Sequence, residues 1–231
     1  MTDIPFLSLA IWLPIFGGML TLASGSDRNA SVARFIALVS AVGGLAVSIP
    51  LYTHFDIGSS SMQFVESYSW IPRFNINYVL GVDGISVFFV LLNSFITLIV
   101  VVAGWEVIRE KVAQYMAAFL IMSGLINGIF SALDGVLFYV FFESSLIPLF
   151  IIIGVWGGPN RVYAALKFFL YTLAGSLLML VALLYLFMAS GGSFNILDWH
   201  NLKLGMNVQT LIFWAFLVSF ARSEEHTSEL Q

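Results

Sequence analysis

Cysteine is missing from all 231 residues, and charged side chains make up only 10% of them. Without cysteine the chain can form no disulfide, ligate no iron–sulfur cluster and build no cysteine–zinc site, although its redox compartment stays open. Histidine is nearly as scarce. His54, His200 and His226 lie far apart in polar stretches, without the close spacing of a metal pair, and read as solvated or satisfied loop residues. No Gly-rich phosphate-binding pattern occurs, so the chain itself is expected to bind no nucleotide. The net charge of -4 is spread out with no basic run, which excludes nucleic acid as a partner.

What the chain has in excess is apolar surface: 60% of residues are hydrophobic and mean hydropathy is +0.97. A soluble domain of this length could not hide so much, so the natural solvent is a bilayer. A spanning helix needs about 20 apolar residues. That rule predicts helices over Ile4–Ala23, Ala33–Thr53, Ile85–Val107, Val112–Leu133, Gly135–Trp156 and Val162–Ala189. A seventh starts near Val208 and is still apolar where the sequence changes character at Arg222. The expected fold is all-α: a polytopic transmembrane bundle of six full spans plus a truncated seventh. The first helix has no basic n-region, its only charge being Asp3, and no A-x-A cleavage site; it reads as a retained span rather than a signal peptide.

The loops carry orientation. Arg28 with Arg34, Arg109 with Lys111, and Arg161 fall in alternate connections, which should face the cytoplasm and place the N-terminus outside. The intervening loops hold Arg73 and Lys203 beside Asp56, Glu66, Asp134 and Asp198. The longest connection, His54–Gly84, contains a mixed segment, Met62–Trp70, that fits a short strand or an interfacial stretch. Trp70, Trp105, Trp156 and Trp199 sit near helix ends, where indole rings favour the headgroup region. Residues 1–221 form the membrane domain. The last ten, Arg222–Gln231, follow an unfinished apolar run abruptly and look like a translated sequencing adaptor; a charged cytoplasmic tail is the alternative.

Ionisable groups inside spans are the informative ones, since each costs roughly 2.5–3.5 kcal/mol near the bilayer centre. Two lie well inside: Glu143, about 12 Å into its helix, and Lys167, about 8 Å into the next. Glu143 reads as functional against a plain satisfied carboxyl. Lys167 reads equally as functional or as a cation snorkelling to the interface. Pro148 follows Glu143 in the same helix; its missing N–H frees the Ser144 carbonyl and loosens the turn, making room for water. Ser123, Asn127 and Ser131 form an i, i+4, i+8 stripe, and Lys167 shares a face with Tyr171, continued by Ala174 and Gly175. Such stripes serve either as a polar pathway or as interhelical glue. Gly124 and Gly128 make a GxxxG, which permits close helix contact.

Three strings go beyond composition: Tyr78–Ser86 (YVLGVDGIS), Phe138–Pro148 (FYVFFESSLIP) and Gly154–Thr172 (GVWGGPNRVYAALKFFLYT). The chain resembles the subunit M (mitochondrial chain 4) family of NADH-quinone oxidoreductase, respiratory complex I, over the start of the third helix, the fifth helix and the start of the sixth. The likeness runs to about Ala221, as an N-terminal fragment. It implies an antiporter-like fold of about fourteen helices in two inverted repeats, of which this chain holds the first part. It further implies that Glu143 is the translocating acid of the fifth helix and Lys167 an auxiliary lysine of the sixth. The seventh-helix lysine that partners the glutamate would fall beyond Ala221. A cation near a buried carboxylate favours its charged form, and withdrawing the cation favours proton uptake, which gives the implied mechanism. Flavin, iron–sulfur centres and quinone are then expected in partner subunits, none in this chain. The implied setting is a bacterial inner membrane, with other membrane subunits, lipid and protons as partners. The rival readings are a subunit of a multisubunit cation/proton antiporter or membrane-bound hydrogenase, and an inert fragment.

Overall fold

A computed structural model describes residues 4–25 and 30–221. Arg28 and the segment Arg222–Gln231 lie outside the described residues. Six helices are long and apolar enough to cross a bilayer: α1 (Phe6–Ala23), α2 (Ala30–Thr53), α3 (Ser86–Val107), α4 (Val112–Ser131), α5 (Gly135–Trp156) and α6 (Arg161–Ala189). They are followed by a one-turn helix α7 (Ile196–Trp199) and by α8 (Met206–Ala221). The predicted spans agree with the observed ones to within three residues, because in lipid the backbone must close its hydrogen bonds inside each helix. Many large apolar side chains face outward, as Phe16, Phe35, Leu170 and Val181 do; facing lipid, this exposure carries little cost.

The His54–Gly84 connection departs from an all-helical picture. Strand β1 (Gln63–Ile71) pairs with β2 (Ile76–Val82) across a 3-10 turn at Pro72–Phe74. The strand expected near Met62–Trp70 is there, but its partner β2 is not apparent from the sequence. Pro72 ends β1, and Asn75 closes the turn at φ 53°, a left-handed conformation that asparagine tolerates better than most residues.

The chain divides into two compact units, residues 1–68 with 78–132, and residues 69–77 with 133–231. In the first unit α1 packs on α4 and α2, and α3 on α2 and α4. A Cβ at Gly124 would run into the Ile11 carbonyl oxygen, so this glycine lets α1 and α4 approach backbone to backbone. Pro14 sits within α1 and deprives the Ala10 carbonyl of its helical donor. Asn127 of α4 supplies one: its Nδ2 donates to Ala10 O at 2.9 Å. The Asn127 Oδ1 in turn accepts from Asn93 Nδ2 of α3 at 2.8 Å, and Thr97 Oγ1 donates to Ser123 Oγ at 2.7 Å. At another edge of this unit, the Glu66 carboxylate of β1 caps α1, accepting from the Leu7 and Ser8 amides and the Ser8 hydroxyl. The Arg34 guanidinium donates to the Ile108 carbonyl at 3.0 Å, which places the start of α2 beside the α3–α4 connection.

In the second unit α6 packs against α5 and α8. Small or hydroxylated residues line the buried stripe of α6: Ala165, Thr172, Gly175, Ser176 and Ala182. Narrow side chains there let neighbouring helices come close.

Candidate functional site

The site is built around the middle of α5. This helix starts at a side-chain cap: the Asp134 Oδ1 accepts from Val136 N at 2.9 Å and Leu137 N at 3.1 Å. From Gly135 the helix runs without interruption to Glu143, about 12 Å in and about 20 Å from Trp156. Glu143 is half-buried, and its Oε1 is fully buried without a hydrogen-bond partner among the described residues. A buried polar atom without a partner costs about 1–3 kcal/mol, so it stands out wherever it occurs. Pro148 is buried one turn further on, and its ring leaves the Ser144 carbonyl without a helical donor. The Ser145 hydroxyl turns back to Phe142 O at 2.7 Å. A carboxyl oxygen and a freed carbonyl therefore lie within about a turn of each other, both acceptors for water or a proton donor.

Register between helices fixes which groups share this level. Gly154 faces Ala165, and the Phe150 ring meets the Phe169 ring with centroids 5.5 Å apart, so α5 and α6 run antiparallel. Carried along the pair, that register puts Ser176 at the level of Glu143. Ser176 is fully buried, its hydroxyl donating to Leu173 O at 2.9 Å. Phe220 of α8 stands edge-on to Phe142 at 6.0 Å, bringing the end of the described α8 to the same level. Ser219, also fully buried, directs its hydroxyl at the Met179 sulfur at 3.9 Å.

Lys167 falls elsewhere. The same register sets it level with residue 152, roughly 13 Å along the axis from Glu143. Its side chain is exposed, as are Tyr171 and Ala174, whereas Gly175 turns into the buried stripe. No ion pair joins Lys167 to Glu143 among the described residues. Ser123 and Asn127, the other pathway candidates, belong to the first unit and are engaged in the hydrogen bonds between α1, α3 and α4 given above. Sequence reasoning missed Thr172, Ser176 and Ser219, although the i, i+4 spacing of Thr172 and Ser176 was there to find.

Asp134 was also missed as more than a loop acid. It is 2% exposed, and its second oxygen accepts from Asn77 N at 3.1 Å. Burial pushes its carboxyl above the usual range, against the three amide donors, which pull it down. Beside it, Gly135 N donates to Phe194 O at 2.8 Å and Ile196 N to Leu133 O at 2.9 Å. The Trp199 indole lies flush on Gly135, where any Cβ would collide with the ring, and its Nε1 donates to Ser193 O at 2.9 Å. Trp199 is thus packed on the start of α5, beyond the interfacial anchoring expected of it.

Residues 132–223 match the family described as NADH:quinone oxidoreductase/Mrp antiporter, TM. The chain is 44% identical over 235 residues to NADH-quinone oxidoreductase subunit M of Rhodobacter capsulatus, covering 93% of this chain and 44% of that protein. Among solved structures it is similar to a chain of respiratory complex I from Thermus thermophilus, with TM-score 0.79 and 28% identity over 93% of this chain and 43% of that one. A chain of the Mrp complex from Dietzia sp. gives the same TM-score of 0.79 at 17% identity, covering 95% of this chain and 24% of that one, which is a likeness of fold. The chain spans less than half the length of these relatives.

Proposed function

We propose that the chain belongs to the antiporter-like membrane-subunit family of NADH-quinone oxidoreductase subunit M and forms part of a proton-translocating subunit in which Glu143 takes up and releases the proton. The observation that carries this reading is the fully buried, unpartnered Oε1 of Glu143 at mid-span, a turn before the break at Pro148. A carboxyl placed so is costly, and an intramembrane ionisable group held without a structural partner is the expected form of a proton-relay site. The freed Ser144 carbonyl and the loosened turn supply the acceptors that a short water chain needs.

In this reading the proton waits at Glu143 Oε1, and a cation brought near or withdrawn sets whether it stays. Lys167, roughly 13 Å away along the axis, acts as a distant electrostatic partner rather than the direct one. Electron transfer from NADH to quinone, with its flavin and iron–sulfur groups, belongs to partner subunits in the membrane complex, and the N-terminus faces outward in a bacterial inner membrane. The fold alone does not separate this reading from a cation/proton antiporter subunit, since both solved relatives give the same TM-score. The sequence identity favours the oxidoreductase.

The test is a substitution series in the intact complex. Glu143→Gln keeps size and hydrogen bonding, so the complex assembles, yet proton pumping falls at least tenfold. Glu143→Asp retains more pumping because the charge survives. Lys167→Met costs less than Glu143→Gln. An assembled Glu143→Gln complex pumping at the parental rate overturns the assignment.

A further inference from the structure

We propose that Asp134 is a positioning residue for Glu143: its carboxylate fastens the start of α5 to the tip of the β-hairpin and so fixes the depth and facing of the Glu143 helix. The inference rests on the role given to Glu143 above. It starts from an excess of acceptor. To cap α5, one side-chain oxygen suffices, and serine, threonine or asparagine would serve as well as aspartate. Here Oδ1 alone takes both helix amides, Val136 N and Leu137 N. The second oxygen is given to Asn77 N, in β2, 57 residues earlier in the chain. A carboxylate 2% exposed is expensive to keep in place of a neutral cap, and what the charge adds is this second tie.

The tie bears on Glu143 because α5 transmits it. Between Gly135 and Glu143 lies no proline, and the intervening stretch of a little over two turns behaves as one rigid piece. Slipping the start of α5 by one residue would move Glu143 by about 1.5 Å and turn it by about 100°, enough to change what its carboxyl faces. The surroundings of Asp134 are built to resist such a slip. The Phe194 and Leu133 carbonyls hold the backbone on either side, Trp199 covers Gly135, and Asn75 Nδ2 of the hairpin tip donates to Gly192 O at 2.7 Å. Asp134 is the one side chain in this group that joins the helix to the hairpin directly.

The two oxygens can be tested apart. Asp134→Asn in the intact complex keeps the capping oxygen but sets an amide N–H against Asn77 N–H, while Asp134→Ser keeps the cap and offers nothing to the hairpin. Reaction of Glu143 with a membrane-soluble carbodiimide, read by mass spectrometry of the α5 peptide and absent from Glu143→Gln, reports the setting of the Glu143 carboxyl. The expected result is normal assembly, a threefold or larger change in the labelling rate at Glu143, and a threefold or larger loss of protons pumped per NADH oxidised in both variants. Parental labelling and pumping in an assembled variant overturn the proposal. So does failure of both variants to assemble, which makes Asp134 a folding residue only. If labelling changes while Glu143→Gln itself pumps normally, positioning stands and the function assigned to Glu143 falls.

Discussion

Glu143 and Asp134 are carboxyls nine residues apart on one helix and its cap, yet they differ in legibility. Glu143 is conspicuous in sequence because it is an acid within an apolar run, and the cost of such a group makes it informative without a structure. Asp134 sits in a polar connection where an acid is unremarkable, and its meaning depends on Asn77, which no local pattern links to it. Asn127 is a similar case. Its place in a polar stripe is readable, but its partner Ala10 lies 117 residues away, at a carbonyl freed by Pro14. Asn127→Ala should leave both that carbonyl and the Asn93 amide short of a partner. In a membrane interior such bonds contribute about 0.6–2 kcal/mol each, so the variant should show a lower unfolding midpoint in detergent, and Asn127→Asp should not restore it, because a carboxylate accepts from Asn93 but has no donor for the Ala10 carbonyl. Asp83 offers a pH test at the same scale. Amide donors from Ser86 and Ile85 hold its carboxyl below the usual range. A depressed carboxyl stabilises the fold above its unfolded pKa and loses that contribution as pH falls through the folded one. The stability gap between the parent and Asp83→Asn should therefore be full at neutral pH and close under acid; a gap independent of pH would show that the charge contributes nothing.

At the scale of elements, helices were readable and their pairing was not. Each span announces itself because about 20 apolar residues and internally closed backbone bonds are what a bilayer demands. The hairpin was half-read: β1 shows in the mixed pattern near Met62–Trp70, while β2 is short, largely apolar and leads directly into the α3 region, so its strand character is masked. Lys167, Tyr171 and Ala174 of the expected stripe lie on an exposed face of α6 while Gly175 is buried, because periodicity cannot say which face a bundle buries, and the buried one is that of Thr172 and Ser176. Gly124 tests helix packing at this scale. Gly124→Leu must push α1 from α4 at the Ile11 carbonyl, and the prediction is loss of assembled complex at the growth temperature, with Gly124→Ala milder. Full assembly of Gly124→Leu would show that the close approach is dispensable.

At the scale of the molecule, the chain spans less than half the length of the relatives it matches and carries one mid-span acid within it. Orientation is testable directly because the chain has no cysteine of its own. A cysteine introduced at Ser60 should react with a membrane-impermeant thiol reagent in intact cells and one at Arg109 should not; the reverse pattern contradicts an outward N-terminus. The central claim is that Glu143 gains and loses a proton during turnover, and infrared difference spectroscopy of the complex during NADH oxidation reads this most directly. The account predicts a protonated-carboxyl C=O band that rises and falls with turnover and is missing from Glu143→Gln. A turnover-dependent carboxyl spectrum identical in the parent and Glu143→Gln would contradict it.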